Sequence, residues 1–219
     1  MPIEPISDAS LDPPVRGVLH TPEHANLQAI VLTHGAGSNA NAPLLVALSE
    51  LFANAGYIVL RCDLPFRQER RTGPPHPGNA ARDRAGLRSA VNFVRQQVAG
   101  KVFLGGQSYG GRQATMLCAE EPDLVSGLLL LSYPLHAPGR PEQLRVQHFP
   151  NLRTPCLFVH GTRDAFGSSE EFNKALPLIP ARHELMEVED AGHDLGFGGK
   201  KRLAELPAKI AAAFERVLR

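Results

Sequence analysis

Short, predominantly apolar runs recur along this 219-residue chain, and segments whose apolar positions return at helical spacing alternate with most of them. Ala29 to Thr33, Tyr57 to Cys62, Lys101 to Gly105, Gly127 to Ser132 and Pro155 to Gly161 are such runs. A strand that is apolar on both sides must be covered on both faces, and a largely parallel sheet between two layers of helices provides that cover. Helices lie between most of them, whereas the Pro-rich stretch Asp63 to Gly78 reads as an irregular loop and candidate pocket rim, and Tyr133 to Thr154, with four prolines, as irregular too. Leu44, Leu48, Leu51 and Phe52 recur at helical spacing after Asn41, a cap residue, and Leu87, Ala90, Val91, Val94 and Val98 share one face of the next helix. A helix over Gly110 to Glu121 stops at Pro122, and Ser168 with Glu171 has capping-box spacing. Gly17 to Leu19 reads as an edge strand after a Pro-rich lead, a further strand lies near Glu184 to Val188, and a final helix runs to Leu218. The expected architecture is an α/β domain spanning 1–219, with a mostly parallel sheet of about seven strands, helices on both faces and no separate cap domain. No linker, repeat or shift of composition divides it.

Composition narrows what such a domain does. The formal charge is +1, so the chain lacks the long-range pull on polyanions that a nucleic-acid-binding protein exerts. Its longest purely aliphatic stretch, Leu128 to Leu131, is far short of a membrane span, and Met1 to Asp12 has no basic region followed by an apolar one. Cys62, Cys118 and Cys156 lie far apart in apolar contexts, without a CxxC pair, and read as reduced core thiols of a cytoplasmic protein. Neither nucleic acid nor membrane is an expected partner.

In sheets of this kind, functional groups gather where strands end at their carboxyl edge. After Lys101 to Gly105 comes Gly106-Gln107-Ser108-Tyr109-Gly110, the G-x-S-x-G pattern of a nucleophile on a sharp strand-to-helix turn. Such a turn strains the central residue and requires small neighbours, here Gly106 and Gly110. A serine hydroxyl becomes a useful nucleophile when a base takes its proton and a third group holds that base. Downstream, Asp164 follows the strand ending at Gly161, and His193 lies in Asp190-Ala-Gly-His-Asp-Leu-Gly196. The chain order is Ser108, Asp164, His193. Asp190 and Asp194 flank His193 too closely to reach its distal ring nitrogen and read as loop-ordering groups, while Glu142 lies well away from a strand end.

Acyl transfer also needs amide donors for the developing oxyanion, one from the residue after the nucleophile and one from the loop after an earlier strand. Tyr109 N–H fills the first role. His34-Gly35-Ala36-Gly37 follows a buried strand, which makes Ala36 N–H the second donor, Gly37 its alternate and His34 a brace for the loop.

With these residues the sequence resembles the α/β-hydrolase superfamily over nearly its whole length. It looks most like the small, lid-less dienelactone hydrolase-like branch, which Gly110-Gly111-Arg112, Tyr133-Pro134-Leu135-His136 and His160-Gly161-Thr162-Arg163-Asp164-Ala165-Phe166-Gly167 also resemble. Dienelactone hydrolases themselves carry a cysteine nucleophile, and Ser108 stands here. The aspartate that haloalkane dehalogenases and epoxide hydrolases place at this turn is absent.

Residues just beyond strand exits are the expected pocket lining: Leu64, Pro65, Phe66, Tyr133, His136 and Phe166. From Leu64 to Arg88 six arginines stand against Glu69 and Asp83. A solvated helix face is the plainest account; the sharper one has Arg67, Arg70 or Arg71 overhanging the pocket and favouring anionic substrates. No metal-ligand spacing or nucleotide-binding glycine motif is present, so no cofactor and no metal are expected. The expected function is hydrolysis of small carboxylic esters or thioesters through an acyl-enzyme, with water as second substrate. A silent hydrolase-fold scaffold and an acyltransferase using the same residues are the alternatives.

Overall fold

The computed structural model describes residues 1–198 and 204–219. Eight strands form one sheet: β1 Ile3–Asp8, β2 Val15–His20, β3 Ala29–Thr33, β4 Ile58–Cys62, β5 Val102–Gln107, β6 Leu128–Leu131, β7 Cys156–Gly161 and β8 His183–Val188. Six helices accompany them: α1 Pro43–Asn54, α2 Pro65–Glu69, α3 Ala80–Arg95, α4 Tyr109–Glu120, α5 Ser169–Ala175 and α6 Leu206–Val217. The spatial order is β1-β2-β4-β3-β5-β6-β7-β8. From β4 to β8 every pairing is parallel, and β2 pairs antiparallel with both β1 and β4.

The strand count exceeds the expected seven because the Pro-rich lead supplies β1. Its Pro5 stands opposite Val18 on the outermost strand, where one side needs no ladder partner and proline is tolerated. β2 is consequently not an edge. Asn41 does not cap α1; Ala42 holds that position without a side-chain bond, Pro43 opens the first turn, and Asn41 Oδ1 instead accepts from Arg61 Nη1 at 3.0 Å. Within the Pro-rich stretch expected to be an irregular loop, Pro65–Glu69 is helical and Pro77–Asn79 forms one 3₁₀ turn, both too short to show a period. The Ser168–Glu171 capping box forms as expected.

Side chains alternate between the two faces of the sheet. Val31 of β3 joins Leu87, Val91 and Val94 of α3 and Phe172 of α5 on one side, while Ile30 and Leu32 join Leu48 and Phe52 of α1 and Phe214 of α6 on the other. Cys62, Cys118 and Cys156 are buried thiols, and burial pushes the pKa of each up to about 12. No separate cap domain stands over the sheet, and no helix among the described residues is long and apolar enough to cross a membrane.

The strand order opens a crevice at one edge of the sheet. The chain leaves β3 toward β4 on one side, then returns to place β5 on the other side of β3. Loops after two such adjacent strands diverge and leave a gap at the carboxyl edge. His34 to Gly37 and Ser108 stand at that crevice.

Candidate active site

Ser108 sits between β5 and α4 with φ 51° and ψ −115°, a conformation that costs a non-glycine residue about 1–3 kcal/mol. Packing around it holds the turn. A Cβ on Gly106 would collide with Gly111 N, and one on Gly110 would meet His34 O at 2.5 Å, so both neighbours must be glycine for the turn to close. The Ser108 amide donates to Leu131 O at 2.8 Å, tying the turn to β6.

His193 comes from the loop after β8. Its Nε2 lies 2.8 Å from Ser108 Oγ and its Nδ1 lies 2.8 Å from Asp164 Oδ2. A carboxylate only accepts, so Nδ1 carries the proton and the Nε2 lone pair faces the serine hydroxyl. Asp164 is 7% exposed, and its other oxygen accepts Phe166 N–H at 2.9 Å. His160 Nε2 is 2.8 Å from Gly167 O, which fixes its proton there; its Nδ1 is 3.8 Å from the Asp164 carboxylate. Burial holds His160 below the usual imidazole range, so the buried neighbour of Asp164 stays neutral. Asp190 pairs with Arg163, and the Asp194 carboxylate accepts the Gly196 and Gly198 amides, so both order the loop that carries His193. Phe166 stacks on His193 with ring centroids 4.1 Å apart. The structure thus brings Ser108, Asp164 and His193 into one hydrogen-bonded relay across three strand exits.

Ala36, Gly37 and Tyr109 line the cavity in front of Ser108. Neither Ala36 N–H nor Tyr109 N–H has an acceptor among the described residues. For Tyr109 this results from its place in the first turn of α4, where amides lack intrahelical partners. His34 is fully buried; its Nδ1 lies 2.8 Å from Gly35 O and its Nε2 accepts Leu64 N–H at 3.1 Å, which makes it a brace with no ring nitrogen free for the site. Burial lowers its pKa, in keeping with a neutral ring.

Two supports of the site are not evident from motifs. Asp83 is fully buried and accepts from Tyr109 Oη at 2.7 Å and Phe66 N–H at 3.0 Å, anchoring the start of α4 to α3; burial raises its pKa. Its register is the signal that could have found it, since Asp83 lies four residues before Leu87 on the apolar face of α3. Arg67 is neither solvated, as the plainest account had it, nor over the pocket, as the sharper one did: it is 6% exposed and donates to Ala36 O at 2.8 Å, Ser38 O at 2.7 Å and Gly73 O at 2.8 Å, clamping the loop that presents Ala36.

The cavity encloses about 850 Å³ and is walled by loops and by one flank of α4. Of the expected lining residues, Phe166 takes part. Leu64, Phe66 and Tyr133 are each 1% exposed in the core and His136 is bonded to Glu171, so these four do not line it, nor does Pro65. Immediately after its strand the chain turns back over the sheet, and apolar side chains there pack inward. Arg70 reaches His76 and Pro74 O at the rim, and Arg71 lines a separate surface depression. The wall is built by Pro74, Pro77, Arg112, Gln113, Met116 and Arg145, among others. No cluster suited to a metal ion is present among the described residues.

Residues 26–217 match a family model described as an alpha/beta hydrolase domain. Among solved structures, a dienelactone hydrolase from Anabaena variabilis is similar at TM-score 0.77 and 21% identity, covering 100% of this chain and 99% of that one. A serine hydrolase without a lid from Xanthomonas campestris is similar at TM-score 0.75 and 17% identity, over 99% and 96% of the two chains. An alpha-beta serine hydrolase homologue from Coxiella burnetii gives TM-score 0.73 at 16% identity, over 97% and 96%. At these identities the likeness is one of fold.

Proposed function

The chain belongs to the α/β-hydrolase family, and from that premise we propose that it is a serine hydrolase cleaving small carboxylic esters or thioesters as a single domain. The observation that carries the proposal is the relay Ser108–His193–Asp164, with both links at 2.8 Å, opening into the cavity.

Ser108 Oγ attacks the acyl carbon while its proton passes to His193 Nε2. Asp164 holds the imidazole through Nδ1 and stabilises the imidazolium that forms. Negative charge gathers on the former carbonyl oxygen, where the Ala36 and Tyr109 amides receive it. The tetrahedral adduct collapses, the leaving alkoxide or thiolate takes the proton from His193, and Ser108 remains acylated. Water then repeats the sequence: it loses a proton to His193, attacks the acyl carbon, and the collapsing adduct returns Ser108 and the free acid. His193 begins either half with a free Nε2 lone pair, the site that takes the proton. The buried thiols fit a reducing compartment, and we place the protein in the cytoplasm.

Fluorophosphonate labelling of the purified protein, with Ser108→Ala as control, tests this directly. Labelling that the variant abolishes, followed by turnover in an ester and thioester panel, is the expected result. A folded protein that neither labels nor cleaves would overturn the hydrolase reading and favour a scaffold.

A further inference from the structure

Some arginines outside the cavity pair with carboxylates, and others, such as Arg71, Arg95 and Arg140, have no such partner among the described residues. Arg84 pairs with Glu120, Arg88 with Glu121, Arg163 with Asp190 and Arg216 with Glu184. The two arginines that line the cavity, Arg112 and Arg145, have no carboxylate partner among the described residues. They sit close enough for Arg112 to depress the pKa of Arg145, after burial, the larger cause. Two guanidiniums that repel each other in a partly desolvated wall are costly unless an anion joins them.

Further donors converge on the same wall. Arg112 Nε is buried without a hydrogen-bond partner, and so is Nε2 of Gln113, a residue 0% exposed whose Oε1 accepts from Arg84 at 3.2 Å. Buried donors of this kind are ordinarily satisfied, and both residues face the cavity one helical turn beyond Ser108. Arg145 is held there by its backbone: its N–H donates to Leu135 O at 2.7 Å and its carbonyl accepts from Tyr133 Oη at 2.7 Å. The cavity's own carboxylate, Asp194, is turned onto its loop amides.

We propose that Arg112, Arg145 and Gln113 form a carboxylate-binding subsite, so that the substrate is a small ester or thioester carrying a carboxylate besides the bond that is cleaved. A guanidinium fork matches a carboxylate with two parallel hydrogen bonds, and the Gln113 amide adds a neutral donor. The inference rests on the hydrolase reading for the cleaved bond; the anion subsite stands on its own geometry.

Binding is measured first in the Ser108→Ala background, where turnover does not interfere. Calorimetric titration is expected to detect monomethyl glutarate and not methyl butyrate, with Arg145→Gln or Arg112→Gln weakening the former about 10- to 100-fold. In the active protein, kcat/KM for p-nitrophenyl hemiglutarate is expected to exceed that for p-nitrophenyl pentanoate, and each variant should collapse this ratio through KM. A matched pair with the charge in the leaving group, 4-carboxyphenyl butyrate against phenyl butyrate, shows which half of the substrate carries the carboxylate. Added salt should reduce the preference in the wild-type protein, a check that requires no variant. Equal binding of charged and neutral ligands, or equal loss on both esters in the variants, overturns the subsite. A protein that binds monomethyl glutarate through Arg145 yet neither labels nor cleaves keeps the subsite and loses the hydrolase reading; labelling and cleavage without charge discrimination do the reverse.

Discussion

The apex of the cavity and its side wall are built by different means. At the apex, Ser108, Asp164 and His193 each come soon after a strand, and the sheet sets their spacing through backbone hydrogen bonds and glycines that admit no Cβ. At the wall, Arg112, Gln113 and Met116 project from α4 and Arg145 from the long connection between β6 and β7, so its character depends on side chains alone. A sheet edge dictates where chemistry happens with little freedom, and a helix flank can be re-lettered without moving it. On the proposed reading, reaction class resides in the apex and substrate choice in the wall.

Substitutions can break that division, beginning with the apex. Ser108→Ala is expected to cost about 10⁶ in turnover with the fold intact, read by ester kinetics beside circular dichroism. Asp164→Asn should cost about 10⁴, because the amide no longer favours the tautomer that leaves Nε2 free. Gly106→Val should lower unfolding free energy by about 2–4 kcal/mol, whereas Gly37→Ala, whose added carbon meets nothing within 4 Å, should stay within about 0.5 kcal/mol; denaturant midpoints compare them. Tyr109→Phe leaves the Asp83 carboxylate short of a donor and should cost about 1–3 kcal/mol of stability, since it removes only the side-chain anchor and leaves the amide in place.

A pH-dependent effect arises behind the wall and sharpens the contrast. His148 Nε2 lies 2.8 Å from Thr115 Oγ1 behind α4, and burial first, then Arg112 and Arg84, lower its pKa from 6.5 to about 4. The folded state keeps this ring neutral while the unfolded chain protonates it near 6.5, so the stability it contributes is complete above that pH and is lost as pH falls toward 4. His148→Gln should flatten this slope in thermal melts, and an unchanged slope would remove His148 from the account.

The same division explains how much of the molecule is legible in its sequence. The parallel sheet is legible because its strands are buried on both faces, and the apex because each of its residues is marked by a strand before it and by glycines around it. β1 is hidden because prolines and acids mask a strand that needs one partner only. Strand exits point to Leu64, Phe66, Tyr133 and His136 as pocket lining, yet these turn under the loops, while the true wall lies a helical turn away at Arg112 and Gln113. There a cavity-facing side chain and a packed one share the same spacing. Arg67 looks like one more surface arginine among its neighbours, and nothing in their count signals that carbonyl groups enclose it.

The relay also has a meaning for assembly. Ser108 and His193 are 85 positions apart, and their contact exists only after β6, β7 and β8 have been added in turn beside β5. Contacts of such long sequence separation are slow to form, because chain entropy is spent before they reward it. If the chain turns over esters as proposed, turnover is thus a clock for the end of folding: helical signal should return early after dilution from denaturant, and catalysis should reappear with the slowest phase.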